Sequence, residues 1–167
     1  MATENALNIL KEAIFLERRG YAFYQKIADY ARNNTVREFF QLMADEELRH
    51  KTILEAQYKA YAQNARFEDL GSKIGDDPTI ANVIMTDTLK EKISAASFEA
   101  AAISAAMYME ELTIALYADR TRLTDDPHEK ELYRWLADWE HSHLLFLAKL
   151  NKEIKEAIWE DNHFWPM

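Results

Sequence analysis

ADEELRH, residues 44–50, contains a Glu-x-x-His motif and recurs 93 residues later as ADWEHSH, residues 137–143. When the chain is aligned with itself at this offset, ten positions in residues 13–57 match residues 106–150. In each half a further Glu stands 30 residues before the Glu of the motif, and a Tyr follows that first Glu after seven residues. The repeat therefore predicts two copies of one structural unit with the same polar residues. They are Glu17, Tyr24, Glu47 and His50 in the first half, and Glu110, Tyr117, Glu140 and His143 in the second.

The composition predicts that the repeated unit is built from long helices. Only 3 Gly and 3 Pro occur among 167 residues, whereas all-β folds need a turn about every 8–12 residues. The same scarcity excludes collagen-like and disordered chains. With 49% hydrophobic and 29% charged residues, the expected fold class is all-α, in a single domain that spans residues 1–167.

Helical periodicity divides the chain into four long segments. They cover about residues 3–32, 35–65, 97–123 and 127–151, the last with an extension toward residue 159. Thr35 and Glu38 predict a capping box at the second segment, and Ser97 and Asp126 predict N-caps for the third and fourth. Residues 66–78 are the expected connection, and residues 79–94 are expected to continue it with a short helix. This pattern predicts a four-helix bundle with one long crossover between helices 2 and 3.

Each Glu-x-x-His motif directs two side chains to one side of its helix. Residues three apart on an α-helix lie about 60° apart around the axis, so the Glu and the His of a motif can reach one point. Glu17 and Glu110 each interrupt a row of apolar residues, which indicates that they face the core. Four converging carboxylates could not all ionise without cations. Two divalent ions would balance the four charges, and an oxygen-rich set with one His per ion suits iron or manganese, and zinc less specifically.

The charge and the residue usage exclude several other classes of function. The formal net charge of −9 disfavours nucleic acid and anionic membrane surfaces as partners, and the chain has no Cys for disulfides, Fe–S clusters or thiolate zinc sites. No stretch of 18 apolar residues and no signal-peptide segment occurs. We therefore expect a cytoplasmic protein.

At these residues the chain resembles the rubrerythrin family, in its ferritin-like di-iron domain, over about residues 5–155. The resemblance implies that Glu47 and Glu140 bridge two iron ions and that Glu17 and Glu110 each bind one of them. It also implies that His50 and His143 each bind one ion. Tyr24 and Tyr117 would then lie behind the ligands, with their hydroxyls hydrogen-bonded to ligand carboxylates of the facing half. Simple core packing is the alternative interpretation of the two Tyr residues.

Two features depart from the family pattern. Rubrerythrins often carry an additional Glu three residues before the third-helix ligand, and here that position is Met107, while Glu111 faces about 100° away from Glu110. The remaining six residues are closer to the ferroxidase centre of bacterioferritin or ferritin. Rubrerythrins also append a Cys-rich rubredoxin domain, so a chain without Cys is expected to need a separate electron-donor protein.

The resemblance implies an oxidoreductase that reduces hydrogen peroxide or dioxygen at a dinuclear iron site, as a homodimer. The alternative is ferritin-like binding and storage of iron with ferroxidase activity, and a third interpretation is a structural bundle with a fortuitous zinc pair. His141, Asp45 and Asp138 lie about 160° around the helix from the nearest ligands and are expected on the surface. The aromatic tail, residues 156–167, is expected to pack on the bundle end or on a dimer partner.

Overall fold

The computed structural model describes residues 2–71, 87–93 and 97–161. These residues form five helices and no strand: α1 Ala2–Tyr30, α2 Asn34–Asn64, α3 Asp87–Lys92, α4 Phe98–Leu123 and α5 Pro127–Asp161. The four long helices form an all-α four-helix bundle, which confirms the predicted fold class. The short α3 lies inside the predicted stretch of the crossover. Residues 72–86 and 94–96 of the crossover, and the tail residues 162–167, lie outside the described residues.

The two copies of the repeat correspond to two helix pairs. α1 packs mainly along α2, and α4 packs mainly along α5. Two apolar clusters fill the bundle, one around Tyr24, Phe39 and Phe40, and the other around Leu10 and Tyr133. Each long helix contributes to both clusters, and its repeated Glu or Glu-x-x-His motif lies between the two contributions. The polar site is therefore enclosed by apolar layers at both ends.

The capping box predicted at Thr35 and Glu38 is wrong. α2 begins at Asn34, and its N-cap is Asn33, whose Oδ1 accepts hydrogen bonds from the backbone N–H groups of Thr35 at 3.0 Å and Val36 at 3.3 Å. Because Asn33 already satisfies these two donors, Thr35 belongs to the first turn, and the Glu38 side chain is exposed.

The caps predicted at the second helix pair are confirmed. The Ser97 hydroxyl accepts from the N–H of Ala100 at 3.2 Å. Asp126 Oδ1 accepts from the N–H groups of His128 at 2.9 Å and Glu129 at 3.1 Å. α5 extends to Asp161, beyond residue 151 and close to the end of the extension predicted toward residue 159. Within the described part of the chain, no helix combines the length and the apolar composition needed to span a membrane.

Candidate metal centre

Six buried side chains from all four long helices meet between the two apolar clusters. α1 contributes Glu17, α4 contributes Glu110, and α2 and α5 each contribute a Glu-x-x-His pair. None of the six residues exposes more than 4% of its surface. Their ligand atoms form two overlapping groups that share Glu47 and Glu140: one group adds Glu17 and His50, and the other adds Glu110 and His143. The structure thus brings together all six residues that the sequence analysis selected, and their role as metal ligands stays a prediction.

The Nδ1 atoms of both His residues face the centre of this cluster. Glu140 lies between the two rings, with Oε1 2.7 Å from His50 Nδ1 and Oε2 3.0 Å from His143 Nδ1. Glu17 Oε2 is 3.3 Å from His50 Nδ1, while Glu47 Oε1 and Glu110 Oε1 are 3.5 and 3.6 Å from His143 Nδ1. The two halves therefore differ in detail, because Glu140 lies within 3.0 Å of both rings, whereas its repeat counterpart Glu47 lies 3.5 Å from His143 Nδ1.

The donor atoms of the cluster fit a pair of divalent metal ions. Among the described residues, seven buried oxygen and nitrogen atoms of Glu17, Glu47, His50, Glu140 and His143 have no hydrogen bond in good geometry. Unsatisfied buried polar atoms are costly and rare. Here six of the seven converge, and several of these lie close to an opposite charge, while His50 Nε2 lies on the outer side of its ring. Carboxylates with one imidazole per group form a set that suits iron or manganese.

Burial and mutual repulsion perturb the protonation of the cluster in the absence of metal. Burial raises the pKa of Glu110 to about 7, and burial and the neighbouring Glu140 raise the pKa of Glu47 well above its ordinary value. Burial opposes protonation of the two His residues, but the Glu140 carboxylate outweighs it, so the pKa of His50 rises to about 9 and that of His143 also rises. The two imidazolium rings in turn hold the pKa of Glu140 well below its ordinary value, although its burial acts the other way. Protons therefore take the place of metal charge in the metal-free protein.

Two buried Tyr residues cross between the halves to reach the outer carboxylates. The Tyr24 hydroxyl on α1 donates to Glu110 on α4, and the Tyr117 hydroxyl on α4 donates to Glu17 on α1. Burial, followed by the adjacent carboxylate, raises the pKa of each phenol well above its ordinary value. Both Tyr residues therefore stay protonated donors that orient Glu17 and Glu110, and a catalytic role for them stays a prediction.

Glu46 is a buried residue of this region that the sequence analysis missed. Its Oε2 lies 2.6 Å from His143 Nε2, on the side of the ring that faces away from the cluster, and it also accepts a hydrogen bond from Trp139 Nε1 at 3.0 Å. The repeat contained a signal for this residue. Residue 46 aligns with residue 139, so a Glu in the first half corresponds to a Trp in the second.

A small cavity reaches the cluster from between α1 and α4. Its volume is about 60 Å³, and its walls include Glu47, Glu110, Gly20, Thr113 and Tyr108. Gly20 and Thr113 occupy equivalent positions of the repeat. The space suits a few atoms, such as water, dioxygen or hydrogen peroxide.

The remaining residues considered in the sequence analysis lie away from the cluster. Met107 is half-buried against the first apolar cluster, and Glu111 is exposed. Asp45, Asp138 and His141 are exposed, as predicted. These positions add no seventh carboxylate to the site.

Two single Glu residues and two Glu-x-x-His motifs that project into a four-helix bundle define the ferritin-like class of di-iron and di-manganese carboxylate proteins. The family model described as Rubrerythrin matches residues 8–151 of the chain. The chain therefore belongs to the rubrerythrin family. Comparison with curated proteins and with solved structures gave no match.

Gly20→Ala should weaken metal binding without weakening the metal-free fold. A Cβ at position 20 would lie 2.6 Å from Glu47 Oε2 and 3.0 Å from Glu47 Cδ. In the metal-free protein Glu47 can rotate away, and Ala in place of Gly in a helix contributes about 1 kcal/mol. A metal-bound carboxylate cannot rotate, so we expect about a 10-fold to 100-fold loss of affinity, as for disturbed groups around other metal sites.

Calorimetric metal titration and thermal unfolding of the metal-free protein measure these two effects. Thr113→Ala is the matched control, because it changes the equivalent wall of the cavity without adding an atom. Equal affinities of Gly20→Ala and the wild-type protein would contradict the argument.

Proposed function

We propose that the protein is a di-iron oxidoreductase that reduces hydrogen peroxide, or dioxygen, with electrons from a separate donor. The observation that carries this proposal is the pair of overlapping ligand groups that share Glu47 and Glu140. Bound iron would supply two adjacent one-electron redox ions with coordination positions open to the oxidant. Manganese or zinc are substitutes that the same residues could hold.

The chain's own residues would hold the metal ions, balance their charge and keep bulk water away from them. Glu47 and Glu140 would hold both ions, Glu17 with His50 one ion, and Glu110 with His143 the other. The Tyr24 and Tyr117 hydroxyls support the outer carboxylates. The cavity beside Gly20 admits a small oxidant, and the apolar clusters on both sides keep bulk water out.

Ferritin-like iron binding with ferroxidase activity is the second candidate. It is favoured by Met107, which is half-buried where many rubrerythrins carry an additional Glu. In that case iron is the cargo and its oxidation serves its retention. We propose a homodimer for the first function, whereas storage needs a large hollow assembly, so light scattering separates the two.

Mixing the diferrous protein with peroxide and, separately, with dioxygen should show faster oxidation by peroxide. Stopped-flow absorption of the diferric product measures both rates, and zinc-loaded protein is the control that lacks redox chemistry. Faster oxidation by dioxygen, together with many iron ions retained per chain, would instead support storage. Protein that binds no iron would contradict both functions.

A further inference from the structure

The two His residues of the cluster differ in the contacts of their Nε2 atoms, which lie on the side of each ring that faces away from the cluster. His143 Nε2 contacts the buried Glu46 carboxylate at 2.6 Å, and the same oxygen accepts the Trp139 indole N–H at 3.0 Å. His50 Nε2 has no hydrogen-bond partner among the residues that the structure describes. The outer side of the centre is therefore connected by hydrogen bonds to an indole ring on the His143 side.

A second indole extends this connection toward the surface. The Trp135 and Trp139 rings lie 5.3 Å apart, and each lies edge-on to His50 at 5.5 Å. Trp139 is 4% exposed, whereas Trp135 is half-buried. Trp135 thus gives the centre an aromatic contact that reaches solvent.

The repeat does not account for this arrangement. Trp139 aligns with Glu46 and Trp135 aligns with Leu42, so the other half has no matching pair of indoles. The oxidant cavity is lined by α1 and α4 residues and by Glu47. The indoles lie on α5, behind the ligands, and are not among the residues that line this cavity.

We propose that Trp135, Trp139 and Glu46 form the route by which single electrons enter the centre from an external one-electron donor that contacts Trp135. The inference rests on the proposed function, since it assumes a centre that must be re-reduced. Electron transfer is fastest along short paths of aromatic rings and hydrogen bonds, and this path ends on a ligand ring.

Electrons and protons balance along this route. Each turnover takes up two electrons and two protons as hydrogen peroxide becomes two waters, and the protons come from solvent. Each electron leaves the donor, reaches Trp135 and then Trp139, and crosses Glu46 to His143. The indoles provide the path and undergo no net oxidation in this step, and the Trp139 N–H keeps its hydrogen bond to Glu46 Oε2, so no proton moves along the route.

Trp139→Phe and Trp135→Phe test the route in the iron-loaded protein. Trp159→Phe, near the end of α5, is the matched control with the same substitution. After one equivalent of peroxide, reduction of the diferric protein by methyl viologen radical should slow at least about tenfold in both test variants, the lower end of the effect of changes behind metal-bound His. Oxidation of the diferrous protein by peroxide should stay at the wild-type rate.

A second measurement separates electron transfer from a structural role. With excess peroxide and no donor, the centre draws electrons from the protein. Peptide mass spectrometry should then find one oxygen atom added to the Trp135 indole, in a two-electron oxidation that leaves one water per peroxide. The Trp139→Phe variant should lose this product, and zinc-loaded protein should not form it.

Wild-type reduction rates in both variants, or unchanged oxidation of Trp135 in Trp139→Phe, would overturn the route and leave the proposed function intact. Wild-type protein that binds no iron, or whose iron does not react with peroxide, would overturn the proposed function and the route with it.

Discussion

Glu140→Gln should abolish the binding of both metal ions while the four-helix bundle stays folded. Glu140 belongs to both ligand groups, and its two oxygens lie 2.7 Å and 3.0 Å from the Nδ1 atoms of His50 and His143. Gln has the same size but carries no charge, so it cannot bridge two cations. The loss of one shared carboxylate should therefore reduce the metal content from about two ions per chain, the number expected for this class of site, toward zero.

Metal analysis after anaerobic loading with ferrous iron measures this effect, and circular dichroism checks the helical content. Asp138→Asn is the matched control, because it removes one negative charge from the same helix only two positions away, at an exposed side chain. The control should retain the full metal content. If Glu140→Gln retained two ions, Glu140 would not be the shared ligand.

The position of the site was predictable because the sequence repeats. A single Glu-x-x-His motif fits many surface helices, but two motifs, each preceded at 30 residues by a Glu in an apolar row, require four helices that face one point. Helical geometry then separated Glu47 from Asp45, and Glu140 from Asp138. The structure buries the first member of each pair and exposes the second.

Residues whose role depends on a neighbouring helix were not predictable in this way. Glu46 is adjacent to a candidate ligand, but its function follows from the approach of Trp139 and His143 on α5. Gly20 likewise matters because a Cβ at this position would lie 2.6 Å from Glu47 Oε2 on the neighbouring helix. Periodicity along one helix describes which face is buried, but it does not describe which side chain of another helix lies opposite.

The N-cap at Asn33 could have been predicted from the repeat. Asn33 aligns with Asp126, and both side chains accept hydrogen bonds from the second and third N–H groups that follow them. The Thr35 and Glu38 pattern instead predicted that the helix begins two residues later, with Thr35 as the N-cap. Asn and Asp are at least as favourable as Thr at N-caps, so the alignment of the halves was the better guide.

Metal binding should release protons and weaken steeply as the pH falls. At pH 7 the metal-free protein carries protons on His50, with a pKa of about 9, and on His143, whose pKa is also raised. Glu110, with a pKa of about 7, carries part of a proton. Metal ligands must be deprotonated, so protons compete with metal. Because the two His residues alone release about two protons, the overall binding constant should fall at least about 100-fold per pH unit below neutrality.

Calorimetric titration with zinc between pH 6 and 9 measures this dependence, and buffers with different ionisation enthalpies count the released protons. The dependence should begin to flatten as the pH approaches about 9, because His50 then starts to lose its proton before metal arrives. Asp138→Asn should show the wild-type slope. Binding without proton release would mean that both His residues are neutral in the metal-free protein.

Because of these protonation states, the thermal stability of the metal-free protein and that of the zinc-loaded protein should respond differently to a rise in pH. Because the folded-state pKa values of His50 and Glu110 are raised, their contribution to stability is present at low pH and is lost as the pH rises through about 7 for Glu110 and about 9 for His50. The metal-free protein should therefore lose thermal stability in alkaline solution, where its buried carboxylates face unprotonated rings. Zinc-loaded protein keeps cations at the site and should not lose it. If the melting temperatures of the two forms changed with pH in the same way, the proposed exchange of protons for metal would be contradicted.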